Sequence, residues 1–528
     1  MTQAEAGIQG DAGLVPAEIY YGDEKVIRGK NGWLFLAKDS NDVLAQHSGG
    51  VKLSDAQLTQ WRYVLETRTS WLERQGCAYV VVVAPNGHSI YPENLPDSVP
   101  SAAERPVMQL MRYLEESGSF ARVIYPVPEL VAHKPHAPVY QKTDTHWNDI
   151  GAFIAYDRIA REIEERVPMR RLSLEDFALR DEALAGDLGH KLFPPEASPR
   201  TLARRKTPSA VLDSDNCVHG SGTVLRLRSD DAPSRCVMFG DSFAYYLLHF
   251  FAESFARFTF VHLRKLDHEV VWRERPDVVV TVLTERFLMM VPQDLTAPSQ
   301  RAMERERRSK GQVRFALTQW RHAEGADPGP LSPASVERLR ARLLRDDRQR
   351  DAVLLCTLAY AGLRARQAHA LRWADVQEEV LKVAPWDPGA NGDEPAAPSR
   401  DVPLLAPLAA DLAEWRRASG DPRGEELVFP GANGDAWADG EWERWEQEFA
   451  RLASELGADG LTARNARDCY WSLLLREGWT IGEICRVTGD DPWTRYATLV
   501  FVADDAVRGE RIDAASEIEA ARELMTAA

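Results

Sequence analysis

The pattern of apolar and polar residues changes near the middle of the chain. Before residue 290, short apolar runs of strand length, such as YVVVVAP at 79–85 and DVVVTVLTERFL at 277–288, occur together with helix-like stretches such as 58–76. After residue 300, the stretches 335–376 and 454–492 have the long 3.6-residue apolar spacing of packed helices. The pattern therefore predicts strands and helices in the first half and a mostly α-helical second half.

The segment between the halves differs from both. RAMERERRSKGQ at 301–312 is dense in charge, and HAEGADPGPLSP at 322–333 has glycines and prolines that would break a helix. Both features are typical of a linker. We predict a first domain at 15–298, a linker at 299–330 and a second domain at 331–528.

The motif VMFGDSF at 237–243 is the first candidate for chemistry. An apolar run of strand length stops at Gly240, and a helix-like stretch follows Phe243. Ser242 is therefore predicted at a strand-to-helix turn, where its hydroxyl is free and N–H groups at the helix start point at an incoming carbonyl oxygen. An ordinary turn is the alternative interpretation.

The motif TDTHWND at 143–149 supplies what a serine nucleophile needs. A serine hydroxyl requires a base at neutral pH, and that base requires a group that orients it. Asp144 and His146 are two residues apart and would face the same side of an extended segment. The Asp144 carboxylate would then accept the Nδ1 proton while Nε2 faces Ser242. Both motifs together favour a catalytic triad over two ordinary loops.

Residues from about 20 to 290 resemble the AlgX/AlgJ-like branch of the SGNH hydrolase superfamily, the domain found in polysaccharide O-acetyltransferases. The landmarks, in chain order, are GKNGWLFL, LTQWRYVLETRTSWLERQG, YVVVVAP, IYPENLP, TDTHWND, GDSF and DVVVTVLTERFL. The resemblance implies a flavodoxin-like, three-layer α/β fold. It makes Ser242 the nucleophile, His146 the general base and then acid, and Asp144 its orienting partner.

Four further residues are candidates for substrate or oxyanion contacts: Arg286, Gly240, Asn86 and Tyr91. Arg286 belongs to the Glu285–Arg286 pair, which stands where the family has its own ER dipeptide; a structural ion pair is the alternative role. Asn86 stands where many relatives have lysine. The motifs therefore leave the substrate preference open.

The N-terminus, MTQAEAGIQGDAGLVPAE, has neither the basic nor the apolar region of a signal peptide, and no apolar run is long enough to span a bilayer. We therefore predict a cytoplasmic protein without membrane insertion. Its acyl donor would be a thioester of coenzyme A or of a carrier protein, and its acceptor a hydroxyl of a small molecule or glycan, or water. Transferase and esterase activity both remain open. No bound cofactor is expected, and no metal site, because HKPH at 133–136 lacks a carboxylate cluster.

Residues from about 331 to 505 resemble the catalytic domain of tyrosine recombinases, the phage-integrase fold. AYAGLRARQAHALRWADV at 359–376 matches the segment with the first catalytic arginine, and LTARNARDCYWSLLLREG at 461–478 the segment that normally reads HxxR. The corresponding positions are Arg364, Arg464 in place of histidine, Arg467, Asp490 in place of histidine or tryptophan, and Tyr496, which comes about three residues too early for the nucleophile. An arginine does not give up its proton near neutral pH, so the resemblance implies a degenerate site.

The charge of the second half bears on its partner. Residues 301–528 contain 31 basic and 40 acidic residues, a net charge of −9 within a whole-chain charge of −16. Phosphate neutralisation supplies most of the affinity of duplex binders, so this balance disfavours nucleic acid. We predict that the second domain binds a protein partner or substrate, or self-associates. The alternative is a DNA-binding, integrase-like protein with a passenger hydrolase domain.

Overall fold

A computed structural model describes residues 25–39, 41–192, 194–314, 316–317, 319–324, 326–385, 399–438, 440–490 and 511–527. The chain divides into two compact units. The first is Met1–Ala210 with Arg226–Gln300, and the second is Val211–Leu225 with Arg301–Ala528. This division differs from the predicted one, because 211–225 and most of the expected linker belong to the second unit.

The strands, in chain order, are β1 (Val26–Arg28), β2 (Leu34–Leu36), β3 (Ala78–Ala84), β4 (Val123–Ile124), β5 (Phe177–Leu184), β6 (Ser198–Arg205), β7 (Val211–Asp215), β8 (Val224–Arg228), β9 (Arg235–Gly240), β10 (Arg257–His262), β11 (Val278–Thr284), β12 (Arg321–His322), β13 (Val380–Val383) and β14 (Arg400–Pro403).

The α-helices are α1 (Val43–His47), α2 (Asp55–Glu73), α3 (Gly87–Ile90), α4 (Pro106–Glu116), α5 (Val127–His133), α6 (Asp149–Glu164), α7 (Leu248–Ser254), α8 (His268–Glu274), α9 (Gln300–Ser309), α10 (Pro333–Arg345), α11 (Gln349–Ala361), α12 (Ala365–Ala370), α13 (Ala406–Ala418), α14 (Glu441–Glu455), α15 (Ala463–Ala466), α16 (Asp468–Glu477), α17 (Ile481–Thr488) and a last helix, Ala514–Ala527. Short 3-10 helices span Lys30–Gly32, Pro92–Asn94, Leu174–Asp176, Gly189–Lys191, Ser242–Leu247, Glu285–Met289 and Trp373–Asp375.

A parallel sheet forms the centre of the first unit, with strands in the order β10-β9-β11-β3-β4. Every residue of β3 and β11 is buried, so helices and loops cover both faces of the sheet. Helices α2 and α6 pack against β3, and α7 packs against β10. This confirms the predicted three-layer α/β fold.

The strand order shows how the chain enters this fold. Counted from β9, the strand before Ser242, the spatial order reads 2-1-3-4-5, which is the flavodoxin-like order. In the sequence, however, the first strand of this sheet is β3, which is number four when the count starts at β9. The fold is therefore circularly permuted, and this explains why the Asp144 and His146 motif precedes the serine motif in the sequence.

Part of the expected linker is helical. Residues 300–309 form α9, and Val313 is buried in the core of the second unit. The charges that suggested a linker are helix surface: Glu304 pairs with Arg308, and Glu306 with Lys310, each four residues apart. Pairs at that spacing stabilise a helix, so charge density alone did not mark an unstructured segment.

The second unit is mostly helical, as predicted. Its core is built around α11, which is buried from Asp351 to Ala361, and includes the large side chains of Tyr360 and Trp471. Helix α10 and the last helix pack together, and β13 and β14 form an antiparallel pair. In the described part of the chain, none of the helices combines the length and the apolar character needed to cross a membrane.

Candidate active site

Ser242 lies two residues beyond the end of β9, where the 3-10 helix Ser242–Leu247 begins. Asp241 clamps this turn. One oxygen of its carboxylate accepts a hydrogen bond from the backbone N–H of Phe243 (3.1 Å), and the other accepts one from the backbone N–H of Thr284 (2.8 Å). The predicted strand-to-helix turn is present, and Ser242 is half-buried there.

Three side chains form a continuous hydrogen-bonded chain at this turn. Asp144 Oδ1 lies 2.8 Å from His146 Nδ1, and His146 Nε2 lies 2.8 Å from Ser242 Oγ. Asp144 and His146 are both 7% exposed. The structure thus brings together the three residues that the two motifs supplied, at distances suited to proton transfer.

The segment that carries Asp144 and His146 is a bend, not the extended segment that the sequence suggested. The backbone N–H of His146 donates to Asp144 Oδ1 (2.8 Å), so the carboxylate also fixes the backbone. Asn148 then caps α6 by accepting a hydrogen bond from the N–H of Gly151 (2.9 Å). Because the helix begins directly after the bend, the position of His146 is set by a rigid element.

Aromatic rings hold the imidazole of His146. The ring centre of Phe243 lies 4.7 Å from that of the imidazole, and the ring of Tyr246 is stacked on the imidazole with 5.2 Å between the ring centres. The two aromatic residues follow Ser242 closely in the chain. The same 3-10 helix that presents the nucleophile therefore positions the base.

Burial and charge compete at His146. Burial lowers the pKa of His146, but the hydrogen bond and the charge of Asp144 outweigh it and raise the pKa above its ordinary value. Burial raises the pKa of Asp144, but the hydrogen bond with His146 and the positive charge of the protonated His146 ring lower that pKa well below the usual range of a carboxyl group. At neutral pH Asp144 is therefore a carboxylate that supports a basic imidazole.

Arg286 is anchored beside the triad. Its Nη1 donates to Asn86 Oδ1 (2.9 Å), its Nε lies 3.5 Å from Asp39 Oδ2, and its guanidinium carbon lies 5.9 Å from the ring centre of Phe243. The neighbouring Glu285 instead accepts hydrogen bonds from Asn86, Ser89 and Tyr125. The predicted pair thus has separate partners, and Asn86 links the two side chains.

The two other candidates have packing roles in the structure. A Cβ on Gly240 would lie 2.6 Å from Ala244 Cβ and 3.1 Å from the carbonyl oxygen of Val282, so only glycine fits at the end of β9. Tyr91 is buried, its ring centre lies 4.0 Å from that of Trp33 in a tilted arrangement, and its hydroxyl accepts a hydrogen bond from the N–H of Val139 (3.0 Å).

Sequence reasoning missed two charged residues near the triad. Asp187 lies in the segment 186–189, and its backbone N–H donates to Asp144 Oδ2 (3.1 Å). Arg200, on β6, lies over the ring of Tyr246 with its guanidinium carbon 4.9 Å from the ring centre. Both lie far in sequence from either motif, so no local pattern indicates them.

Among the residues that the structure describes, a single group of three His, Cys, Asp or Glu side chains has its ligand atoms within 4.8 Å of one another, as a metal site would require. Its members are Asp144, His146 and Asp187. Both ring nitrogens of His146 already form hydrogen bonds, to Asp144 and Ser242. A metal ion would have to replace these bonds, so the donor set fits a proton-transfer chain better than an ion.

The recombinase-like positions of the second unit are partly gathered. Asp490 accepts hydrogen bonds from Arg364 Nη2 (3.2 Å), Arg467 Nη2 (2.9 Å) and the indole N–H of Trp471 (3.0 Å). Arg464 is exposed. Tyr496 lies outside the described residues. The two arginines that would neutralise a phosphate are therefore ion-paired with a carboxylate of their own unit.

Comparison with known proteins agrees with the sequence resemblance of the first half. Residues 26–258 match the family described as SGNH hydrolase-like domain, acetyltransferase AlgX. The probable alginate O-acetylase AlgJ of Pseudomonas syringae pv. tomato is 26% identical over 145 residues, which are 27% of this chain and 34% of that protein. The chain spans about a third of the length of the curated relatives it matches. The predicted resemblance to AlgX/AlgJ-like SGNH domains is confirmed.

Solved structures show similarity in both halves. PatB1 of Bacillus cereus with a sulfonyl adduct is 15% identical, with a TM-score of 0.40 over 50% of this chain and 95% of that chain. Over the C-terminal part, XerA recombinase is 21% identical, with a TM-score of 0.26 over 33% of this chain and 58% of that chain.

Proposed function

We propose that the first unit is a serine-dependent O-acyltransferase that works through an acyl-serine intermediate. The observation that carries this proposal is the hydrogen-bonded chain from Asp144 through His146 to Ser242, with both links at 2.8 Å. The match of residues 26–258 to an acetyltransferase domain supports it.

In the first step His146 Nε2 takes the proton of Ser242 Oγ as that oxygen attacks the acyl carbonyl carbon. The imidazolium that forms is stabilised by the Asp144 carboxylate. The carbonyl then reforms, the bond to the donor's leaving group breaks, and His146 returns its proton to that group. Ser242 is left as an ester.

In the second step a hydroxyl of the acceptor replaces the donor. His146 removes the hydroxyl proton, the oxygen attacks the acyl-serine, and the proton returns to Ser242 Oγ as the new ester leaves. Water in place of the hydroxyl would give hydrolysis. Arg286 is our candidate for the developing oxyanion or the substrate, because Asn86 holds its guanidinium beside the triad.

The donor we propose is an acyl thioester of coenzyme A or of a carrier protein, and the acceptor a hydroxyl of a small molecule or glycan. A thioester suits this chemistry because a thiolate is a good leaving group. For the second unit we propose protein or substrate binding, or self-association. The pairing of Arg364 and Arg467 with Asp490 and the net charge of −9 over 301–528 support a role other than phosphate binding.

The test is labelling with a serine-directed fluorophosphonate. The wild-type chain should be labelled once, and Ser242→Ala should abolish both labelling and the turnover of an activated ester. Ser101→Ala, at an exposed position, is the matched control and should behave as wild type. Undiminished labelling of Ser242→Ala would refute the proposal.

A further inference from the structure

A second carboxylate, that of Asp187, adjoins the bend that carries Asp144 and His146. Its Oδ1 accepts a hydrogen bond from the backbone N–H of Thr145, and its Oδ2 accepts one from the Thr145 hydroxyl, both at 2.6 Å. The same hydroxyl oxygen lies 3.2 Å from His146 Nδ1. Asp187 is thus connected to the base through one intervening side chain.

The backbone around Asp187 is fitted to this loop. A Cβ on Gly186 would lie 2.3 Å from the carbonyl oxygen of Thr143 and 2.5 Å from Asp144 Cβ. The N–H groups of Leu188 and Gly189 both donate to that carbonyl oxygen, at 3.1 and 2.9 Å. Only glycine permits this close approach, so the segment 186–189 holds Asp187 at a fixed distance from the triad.

The charges around His146 are asymmetric. The ligand atoms of Asp144, Asp187 and His146 lie within 4.8 Å of one another, and both carboxylates favour the imidazolium. The charge of Arg286 opposes the imidazolium, while Arg200 and His190 interact electrostatically with Asp144. Burial and the charge of Asp144 raise the pKa of Asp187 to about 6.

We infer that Asp187 is a positioning residue of this site, which orients His146 through Thr145 and stabilises with its charge the imidazolium formed when Ser242 is deprotonated. The inference rests on the proposed function. When the Ser242 proton moves to His146 Nε2, the positive charge of the imidazolium appears beside two carboxylates, whereas a triad with Asp144 alone would provide one. A second acidic group therefore makes His146 a stronger base without touching the substrate.

The test measures the rate of fluorophosphonate labelling of Ser242 between about pH 5 and about pH 9 in the full chain. In Asp187→Asn the midpoint of the acid limb should move down by roughly one pH unit, because an opposite charge at this distance is lost. Asp181→Asn is the matched control: its carboxylate also accepts a threonine hydroxyl (Thr201, 2.6 Å), but it is exposed on β5. The control should keep the wild-type midpoint.

Thr145→Val separates a structural effect of Asp187 from the inferred one. This variant keeps both carboxylates and removes the bridging hydroxyl, so labelling should slow while the midpoint stays. An unchanged midpoint in Asp187→Asn would overturn the inference. Absence of wild-type labelling would instead overturn the proposed function.

Discussion

At the scale of the residue, Asp144 shows how one side chain serves backbone and chemistry together. Its Oδ1 binds both the backbone N–H and the ring Nδ1 of His146, and its Oδ2 binds the N–H of Asp187. The identity of the triad residues was predictable from two motifs, because each motif is local in sequence. Asp187 was not, because its position depends on a chain crossing that no local pattern records.

Replacing Asp144 by asparagine should keep the shape of the site and remove its charge. The amide no longer stabilises the imidazolium and favours the wrong tautomer of His146. Turnover of an activated ester should therefore fall by roughly 10³-fold or more, with little change in KM. Asp230→Asn, at an exposed position, is the control. A loss of less than about tenfold in Asp144→Asn would contradict the orienting role.

Two buried histidines predict how the first unit responds to acid. Burial lowers the pKa of His47 to about 3 and that of His88 to about 4, while the unfolded chain has the ordinary value near 6.5. The unfolded state therefore binds more protons below about pH 6.5, and the free energy of unfolding decreases as pH falls from there towards about 4. Each histidine should lower the free energy of unfolding at pH 5 by about 2 kcal/mol.

Chemical denaturation at a series of pH values measures this effect. His47→Gln should flatten the pH dependence, because it removes one of the groups that must stay neutral in the folded state. His136→Gln, at an exposed position, should leave the dependence as in the wild type. If the free energy of unfolding changed equally with pH in His47→Gln and in the wild type, His47 would not be a cause of the acid sensitivity.

At the scale of the element, the site is the meeting point of strand ends. Ser242 follows β9, Arg286 follows β11 and Asn86 follows β3, each two residues beyond the strand. Neighbouring parallel strands end at one edge of the sheet, so residues from distant parts of the chain meet there. The strands themselves were predictable from their apolar runs, but the pairing of Asn86 with Arg286 required the strand order.

Gly240→Ala tests the turn at the end of β9. The added methyl would meet Ala244 Cβ at 2.6 Å, so the 3-10 helix must shift and Ser242 with it. We expect a loss of about 1–3 kcal/mol in the free energy of unfolding and slower labelling of Ser242. Gly482→Ala in α17 is the matched control, because a methyl group added there would meet no neighbouring atom within 4 Å. If both substitutions changed the free energy of unfolding and the labelling rate equally, the tight packing of the turn at Gly240 would not be what positions Ser242.

At the scale of the whole molecule, the class of each half was predictable and the boundary was not. Long helical spacing identified the second half as helical because helices are local. Val211–Leu225 joins the second unit although it lies between two parts of the first. Sequence patterns near 211–225 give no sign of this, because membership of a unit depends on which residues pack together in space.

The charge balance of the second half leads to a prediction about nucleic acid. With 31 basic and 40 acidic residues over 301–528, the full chain should not shift duplex DNA even at about 50 mM salt. Electrophoretic mobility shift against salt concentration measures this. A complex that forms at low salt and weakens steeply as salt rises would support the integrase-like alternative.

In the proposed reaction, Ser242 carries the acyl group between donor and acceptor. The most direct measurement is peptide mass spectrometry of the full chain after rapid acid quenching of a reaction with acetyl-coenzyme A or an activated acyl ester. We expect one acyl group on the peptide that contains Ser242. This group should be lost when an acceptor hydroxyl is added, and it should be absent in Ser242→Ala. Turnover of the same donor by wild type without any acyl group on that peptide, and undiminished turnover by Ser242→Ala, would contradict this role.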